Sequence, residues 1–262
     1  MQLLQIRRYL MPFTGSELFF KIASRIERLA ARAQGKGYGS LSMGNEVSNL
    51  LSTLSDPPVL AIDIGGNIGD YTAELRKINS ELEIHTFEPS GLNVSKLNSR
   101  FKSDKLIQII PFALSDNAGQ TTLFSDVSGS GMASLTKRKL DHFNIAFQTE
   151  EKIQTIRFEE YWRSNLGSRS LDIVKIDIEG HEFAALNGFG SALDASKVIQ
   201  FEFGGTDIDT RVFFRDFWYF FKDHGFLIYR YTPFGLQPIT KYTEDLECFM
   251  YTNFVAVNIS SN

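Results

Sequence analysis

Four carboxylates stand where apolar runs of this chain give way to glycine-rich or polar sequence: Asp63 and Glu88 in the first half, Asp177 and Glu179 in the second. The stretch AIDIGGNIGDYTAEL places Asp63 just before Gly65, Gly66 and Gly69, at the point where a strand-like run becomes helical. Glycines in a strand-to-helix turn let backbone approach a ligand closely, because each missing Cβ removes a steric block. The order D-I-G-G-N-I-G-D does not satisfy the dinucleotide fingerprint G-x-G-x-x-G, and no Lys-Ser or Lys-Thr follows to make a phosphate loop. A leading carboxylate is unfavourable beside a phosphate and useful beside a cation. Glu88, which ends the run IHTFEP, follows Asp63 by 25 residues. That is near the spacing at which an acidic side chain accepts hydrogen bonds from ribose hydroxyls. A nucleoside with a cationic tail and no pyrophosphate meets both demands, and S-adenosylmethionine has that shape and charge. The plain alternative is a tight turn with no ligand.

The second set lies in LDIVKIDIEGHEFAALNGFG, where Lys175, Asp177 and Glu179 alternate with Val174, Ile176 and Ile178. Alternation puts the three charged residues on one side of a strand or its extension. A lysine in a covered strand needs a partner, and Asp177 or Asp63 is the expected one. Asp177, Glu179 and His181 are the candidates to handle a proton if an acceptor hydroxyl is methylated, since an alcohol does not lose its proton unaided at neutral pH. His181 has an ordinary alternative role, a local hydrogen bond at a helix start. Glu202, at the end of VIQFEF, falls on the expected neighbouring strand. Asp177 with Glu202 makes only a weak divalent-metal pair, two oxygen ligands without visible companions, and a site without metal is favoured.

These residues have to be carried by strands. PVLAIDI, LEIHTFEP, LIQIIPFAL, LDIVKIDIEG and VIQFEF are short apolar runs separated by helix-length pieces, the pattern of a doubly wound α/β domain with a parallel sheet covered on both faces. GQTTLFS and EKIQTIRF alternate like paired edge strands, marking an insertion at about 118–158, with the polar loop Ser125–His142 between them. FLIYRYTP and CFMYTNFVAVN read as a closing antiparallel pair at the sheet edge. Ligands of such sheets bind outside the carboxyl ends of the strands.

Residues 1–40 hold seven Lys/Arg against two Glu, whereas the remainder holds 20 basic and 29 acidic residues, so the first 50 residues form a distinct extension ahead of a main domain at 51–262. Within it, ELFFKIASRIERLAARA has a helical apolar face and basic residues mostly elsewhere. The simpler expectation is a helix packed on the main domain; the other is contact with a membrane surface, a lipid-linked glycan or a partner. A glycine-rich connector, QGKGYGSLSMG, follows. One cysteine, Cys248, permits no internal disulfide, and no apolar run reaches membrane-spanning length. Arg7 and Arg8 interrupt the opening MQLLQIRRYLMPF before it reaches signal-peptide length. A cytoplasmic enzyme is the expectation, and no basic stripe suggests a nucleic-acid partner.

AIDIGGNIGDYT, TFEPS, PFALSDNAGQTTL, KIQTIRFEEYW and LDIVKIDIEGHEFAALNGF together resemble the FkbM family of S-adenosylmethionine-dependent methyltransferases over roughly residues 57–257. The resemblance implies a class I (Rossmann-like) methyltransferase fold, with a seven-stranded, mostly parallel sheet and a reversed last strand. It also implies O-methylation, commonly of a sugar hydroxyl in a glycan, a lipopolysaccharide precursor or a glycosylated metabolite, or of a macrocycle hydroxyl. By match of motif, Asp63, Gly65, Asn67 and Gly69 would surround the methionine part of the cofactor and Glu88 its ribose. Ser115 and Asp116 fall where related enzymes contact adenine, and Asp177 and Glu179 match an acidic pair facing the transferred methyl. The residue at His181 varies in this pattern. A nicotinamide-dependent oxidoreductase shares the acidic ribose residue but not the turn, and a cofactor-binding protein that has lost activity is the non-enzymatic alternative.

Overall fold

Apolar runs and helical patterns alternate along the chain, and the computed structural model turns them into layers. It describes residues 15–38 and 42–260. The reading of MQLLQIRRYLMPF, and of Gly39 to Leu41 in the connector, lies outside the described residues. In chain order the elements are α1 (Glu17–Ala33), α2 (Met43–Leu51), β1 (Leu60–Ile64), α3 (Asp70–Ile78), β2 (Glu83–Phe87), α4 (Gly91–Arg100) and β3 (Ile107–Ile110). The inserted strands β4 (Ala113–Leu114), β5 (Gly119–Ser125) and β6 (Thr149–Ile156) follow, then α5 (Phe158–Asn165), β7 (Leu171–Ile176) and α6 (Glu182–Asn187). The chain closes with β8 (Ser196–Phe203), α7 (Asp207–Thr210), α8 (Phe214–Asp223), β9 (Phe226–Thr232), β10 (Gly235–Ile239) and β11 (Thr252–Asn258).

The main sheet has the order β10-β9-β11-β8-β7-β1-β2-β3. Strands β3, β2, β1, β7 and β8 run parallel, and β11 enters antiparallel between β8 and β9. Two expectations are corrected here. The sheet has eight strands, because β10 folds back on β9 and adds an outer edge. β11 is not at the edge either: its run Phe254, Val255 and Ala256 is buried, and an apolar strand of that kind is covered by neighbours on both sides. β1 and β7 are buried along their whole length, so the strand order reverses at the best-covered part of the sheet, between β1 and β7.

One face of the sheet is filled with aromatic rings. α8 presents Phe214, Phe217 and Phe221 at helical spacing to Phe201 and Phe203 of β8 and Phe254 of β11, with Phe201 and Phe217 stacked at 5.0 Å. Much of the phenylalanine content of the chain is therefore core. The insertion forms a separate three-stranded sheet, β4-β6-β5, whose loop returns over the carboxyl ends of the main strands.

The two N-terminal helices behave differently. α2 buries Val47 and Leu50 in the core, and its Glu46 accepts hydrogen bonds from Gln200 (3.0 Å) and Asn253 (2.8 Å), so the main body begins before residue 51. α1 buries none of its residues, and Leu18, Phe19, Phe20, Ile22, Ile26 and Leu29 are all exposed. The expected packing of that helix on the main domain is therefore corrected: its large apolar side chains stand exposed instead of being buried against the body. Among the described residues, no helix is long and apolar enough to cross a membrane.

Candidate functional site: a cleft at the carboxyl ends of the parallel strands

The turn after β1 is shaped by what lies against it. Gly65 has φ +84°, and a Cβ there would lie 1.9 Å from the Asp177 carbonyl oxygen; at Gly66 it would lie 2.1 Å from the Thr86 methyl. Both glycines are required because the turn is pressed between the ends of β2 and β7. Asn67 also takes a left-handed conformation (φ 46°), and Gly69, at the N-cap of α3, packs against Leu97 and Phe101 rather than opening to the cleft.

Glu88 closes this turn. Its Oε2 accepts the Asn67 backbone N–H at 2.8 Å and its Oε1 accepts the Ser90 N–H at 2.9 Å. One N–H on each oxygen leaves further lone pairs free to accept from a ligand. Burial raises the Glu88 pKa, and the two backbone donors oppose that rise. Glu88→Ala leaves both donors without their acceptor and removes the spare acceptor capacity that lines the cleft. Affinity for S-adenosylmethionine is expected to fall roughly 10–100-fold by calorimetry, the size of one or two charge-assisted hydrogen bonds.

Asp63 lies below the turn and is fully buried. Its Oδ2 accepts the Thr72 hydroxyl at 2.6 Å, and its Oδ1 lies 3.6 Å from Lys175 Nζ. Lys175 is 3.3 Å from Asp177 and 5.2 Å from the centre of the Tyr71 ring, so it meets both carboxylates expected from the sequence. Its ammonium pKa is driven up by those charges against the opposing effect of burial.

Gly65, Asn67, Glu88, Asp177, Glu179 and His181 share one cleft, walled by Ile64, Phe87, Phe112, Leu114, Leu123, Leu135 and Ile178. Asp63, Gly69, Ser115 and Asp116 do not line it. Ser115 Oγ donates to Asp116 Oδ1 at 3.0 Å and lies 3.0 Å from His181 Nε2. Since a hydroxyl has one proton and Ser115 gives it to Asp116, His181 Nε2 carries the hydrogen and donates. Burial lowers the His181 pKa against the pull of Asp116, which keeps the ring neutral at neutral pH.

Glu179 occupies the strained end of the β7 extension, at φ 56°. Its backbone carbonyl accepts the Ser134 hydroxyl at 2.8 Å, and its Oε2 meets Arg138 Nη1 at 3.1 Å. Burial, then the Asp177 charge, push its pKa up to about 7 despite Arg138 and Lys175. Arg138 is buried and also donates to Asp209 (3.1 Å) and to the Tyr251 hydroxyl (3.1 Å). Residue-type reasoning missed Arg138, Ser134 and Tyr251; the only signal was a basic run, Lys137 to Lys139, inside the loop. Arg138 also lines a second cavity with Lys139, His142, Phe143, Asp209 and Tyr251. The pair Arg138–Glu179 thus stands between two cavities.

Behind it lies a group of acids. Burial and the charge of Asp177 push Glu202 up to about 10, burial pushes Asp207 up to about 7, and burial raises Glu182. Among the described residues, no three His, Cys, Asp or Glu are arranged to hold a metal ion, and the pair Asp177 and Glu202 gains no third ligand. These carboxyls hold more protons folded than unfolded between their two pKa values, so stability present below about pH 4 is lost as pH rises through the folded values. The melting temperature is expected to fall from about pH 5 towards pH 9, the window between those values, and Glu202→Gln should flatten its upper part; calorimetric scans across that range check both.

The residues of the cleft fit S-adenosylmethionine. The lining contains no lysine or arginine to meet a pyrophosphate, its acidic groups suit a cationic sulfonium, and Glu88 retains acceptor capacity. Comparison with known proteins agrees: residues 63–228 match the model of the methyltransferase FkbM domain. The chain belongs to the FkbM methyltransferase family. It is an S-adenosylmethionine-dependent methyltransferase with a class I fold, built on the strand order described above. A curated relative, the 2-O-methyltransferase NoeI of Sinorhizobium fredii, is 21% identical over 194 residues, covering 70% of this chain and 78% of its own. Among solved structures, an O-methyltransferase from Bacillus cereus in complex with SAH is 12% identical, with a TM-score of 0.43 and 97% of each chain covered. The precorrin-6y C5,15-methyltransferase of Geobacter metallireducens is also 12% identical, with a TM-score of 0.41, covering 80% of this chain and 86% of that one.

Proposed function

We propose that this FkbM-family enzyme methylates a hydroxyl of a saccharide or glycosylated small molecule, with Glu179 as the base. The observation that carries the reading is the position of Glu179, which lines the cofactor cleft while its partner Arg138 lines the second cavity. An acceptor in the second cavity would thus have this pair between it and the methyl donor. S-adenosylmethionine, when bound, supplies an electrophilic methyl on a sulfonium. Transfer to oxygen would break the methyl–sulfur bond, leave the neutral thioether S-adenosylhomocysteine, form a carbon–oxygen bond and release the hydroxyl proton, which Glu179 Oε1 would accept while Arg138 holds Oε2. A carboxyl with a pKa near about 7 is matched to that task at neutral pH. In this reading no metal takes part, Asp177 supplies charge beside the sulfonium, and Gly65, Asn67 and Glu88 hold the methionine and ribose portions. Asp63 and Gly69 shape the turn from outside the cleft. His181, tied to Ser115 and Asp116, sets the adenine side rather than moving protons.

A saccharide acceptor is supported by the lining of the second cavity, where Phe143 and Tyr251 offer flat apolar faces among Arg138, Lys139, His142 and Asp209. The name of the relative NoeI, a 2-O-methyltransferase, agrees with oxygen as the atom methylated. Phe143→Ala is expected to raise the acceptor KM roughly 10-fold, the size of one lost aromatic contact, with S-adenosylmethionine affinity unchanged. Steady-state kinetics on a panel of oligosaccharides would check this; an unchanged acceptor KM would remove the second cavity from the acceptor path.

A further inference from the structure

We infer that α1 docks on the surface of an anionic lipid bilayer and holds the second cavity against it. The helix buries nothing against the body. At about 100° per residue, Leu18, Phe19, Ile22, Ile26, Leu29 and Ala33 fall within an arc of roughly 100°. Lys21, Arg25, Arg28 and Arg32 form a continuous basic row along one margin of that arc. An apolar face flanked lengthwise by cations suits the boundary between headgroups and acyl chains, where the cations meet anionic lipid. Antiparallel pairing with a second copy fits less well, because it would bring two such basic rows to the same side. Arg25, Arg28 and Arg32 have no ion pair among the described residues, so their charge is available. The sequence ahead of the helix continues the same mixture, with Leu3, Leu4, Ile6 and Leu10 beside Arg7 and Arg8.

The attachment of the helix decides which face of the enzyme would meet the bilayer. Its C-terminal end is tied to the main sheet: Arg230 donates to the Gln34 carbonyl at 3.3 Å, and the Gly37 N–H donates to Thr252 Oγ1 at 3.1 Å. A Cβ at Gly35 would lie 2.1 Å from the Tyr231 carbonyl oxygen, so the joint is close-packed. Gly37 itself lines the second cavity, whose rim carries the exposed Phe143, Ile208, Met250 and Tyr251. Phe234, 85% exposed, stands by the end of α1. Exposed apolar groups thus gather at the same end of the sheet as the helix base. The docking rests on the helix and this rim, and goes beyond the saccharide reading without depending on it.

Sedimentation of the full-length protein with vesicles tests it. Vesicles of phosphatidylcholine with about 30% phosphatidylglycerol should bind at least about 10-fold more protein than pure phosphatidylcholine, and added salt should weaken the binding. The double variant Ile22→Glu with Ile26→Glu, and the triple variant Arg25→Gln, Arg28→Gln and Arg32→Gln, should each lose roughly 10-fold or more of that binding. Calorimetric affinity for S-adenosylmethionine should be unchanged in both, which shows that the body is folded. Equal binding of wild type and variants would overturn the proposal. So would no vesicle binding together with a dimer in sedimentation velocity that the Ile22→Glu, Ile26→Glu variant dissolves, since the face would then belong to a second copy.

Discussion

Glu179→Gln is expected to lower turnover by ~10²–10⁴-fold, the range for loss of a positioned general base, while S-adenosylmethionine affinity changes by less than about threefold. The amide keeps a hydrogen-bond acceptor for Arg138 and nearly the same volume, so the wall between the two cavities is retained. What it loses is the capacity to take a proton. In the wild type, turnover should rise with pH through about 7, because burial and Asp177 hold the Glu179 carboxyl protonated below that value. The variant should lack this rise. Single-turnover kinetics across the pH range separates the two, and a variant with the wild-type profile would show that Glu179 positions Arg138 without moving protons.

Asp63→Ala is expected to cost about 3 kcal/mol of stability, measured by urea unfolding, because it strips a partner from a buried ion pair. Lys175 is buried and lies between Asp63 and Asp177 at 3.6 and 3.3 Å. With Asp63 gone, it keeps Asp177 and the Tyr71 ring but loses the carboxylate beneath the turn, and Thr72 loses the acceptor of its hydroxyl. The effect on S-adenosylmethionine is indirect and follows the unfolding. In contrast, the Glu88→Ala loss should appear in affinity first, since Glu88 faces the cleft and Asp63 does not. Asp63→Asn should be milder than Asp63→Ala, as the amide still accepts from Thr72.

The contrast between Asp63 and Glu88 shows what sequence can and cannot carry. Both read as acids at strand ends beside a cationic ligand, and their positions at the ends of β1 and β2 were legible from the apolar runs before them. Their roles differ because Lys175, 112 residues further along the chain, sits beside Asp63 on the adjacent strand. The parallel strands and the insertion were legible as periodicity, whereas the reversed last strand followed only from the family resemblance. Two features were not legible: the placement of β11 inside the sheet depends on pairing choices between similar apolar strands, and β10 carries Pro238 and little apolar character. For α1 the pattern gave a helix with an apolar face, but whether that face is covered is a tertiary fact. Arg138 was invisible for the same reason. It lies in a loop without periodicity, and only folding brings it to Glu179, Asp209 and Tyr251.

The central claim is that a methyl group passes from the cleft to a saccharide oxygen past Glu179. Incubation of the purified enzyme and trideuteromethyl S-adenosylmethionine with separated carbohydrate, glycolipid, protein and nucleic-acid fractions from cells lacking this enzyme tests it most directly, with acid hydrolysis and mass spectrometry locating the label. The account predicts recovery of the label as an O-trideuteromethyl sugar from the wild type, and its loss with Glu179→Gln. Label on a nitrogen, or in protein or nucleic acid, or undiminished transfer by Glu179→Gln, would contradict it.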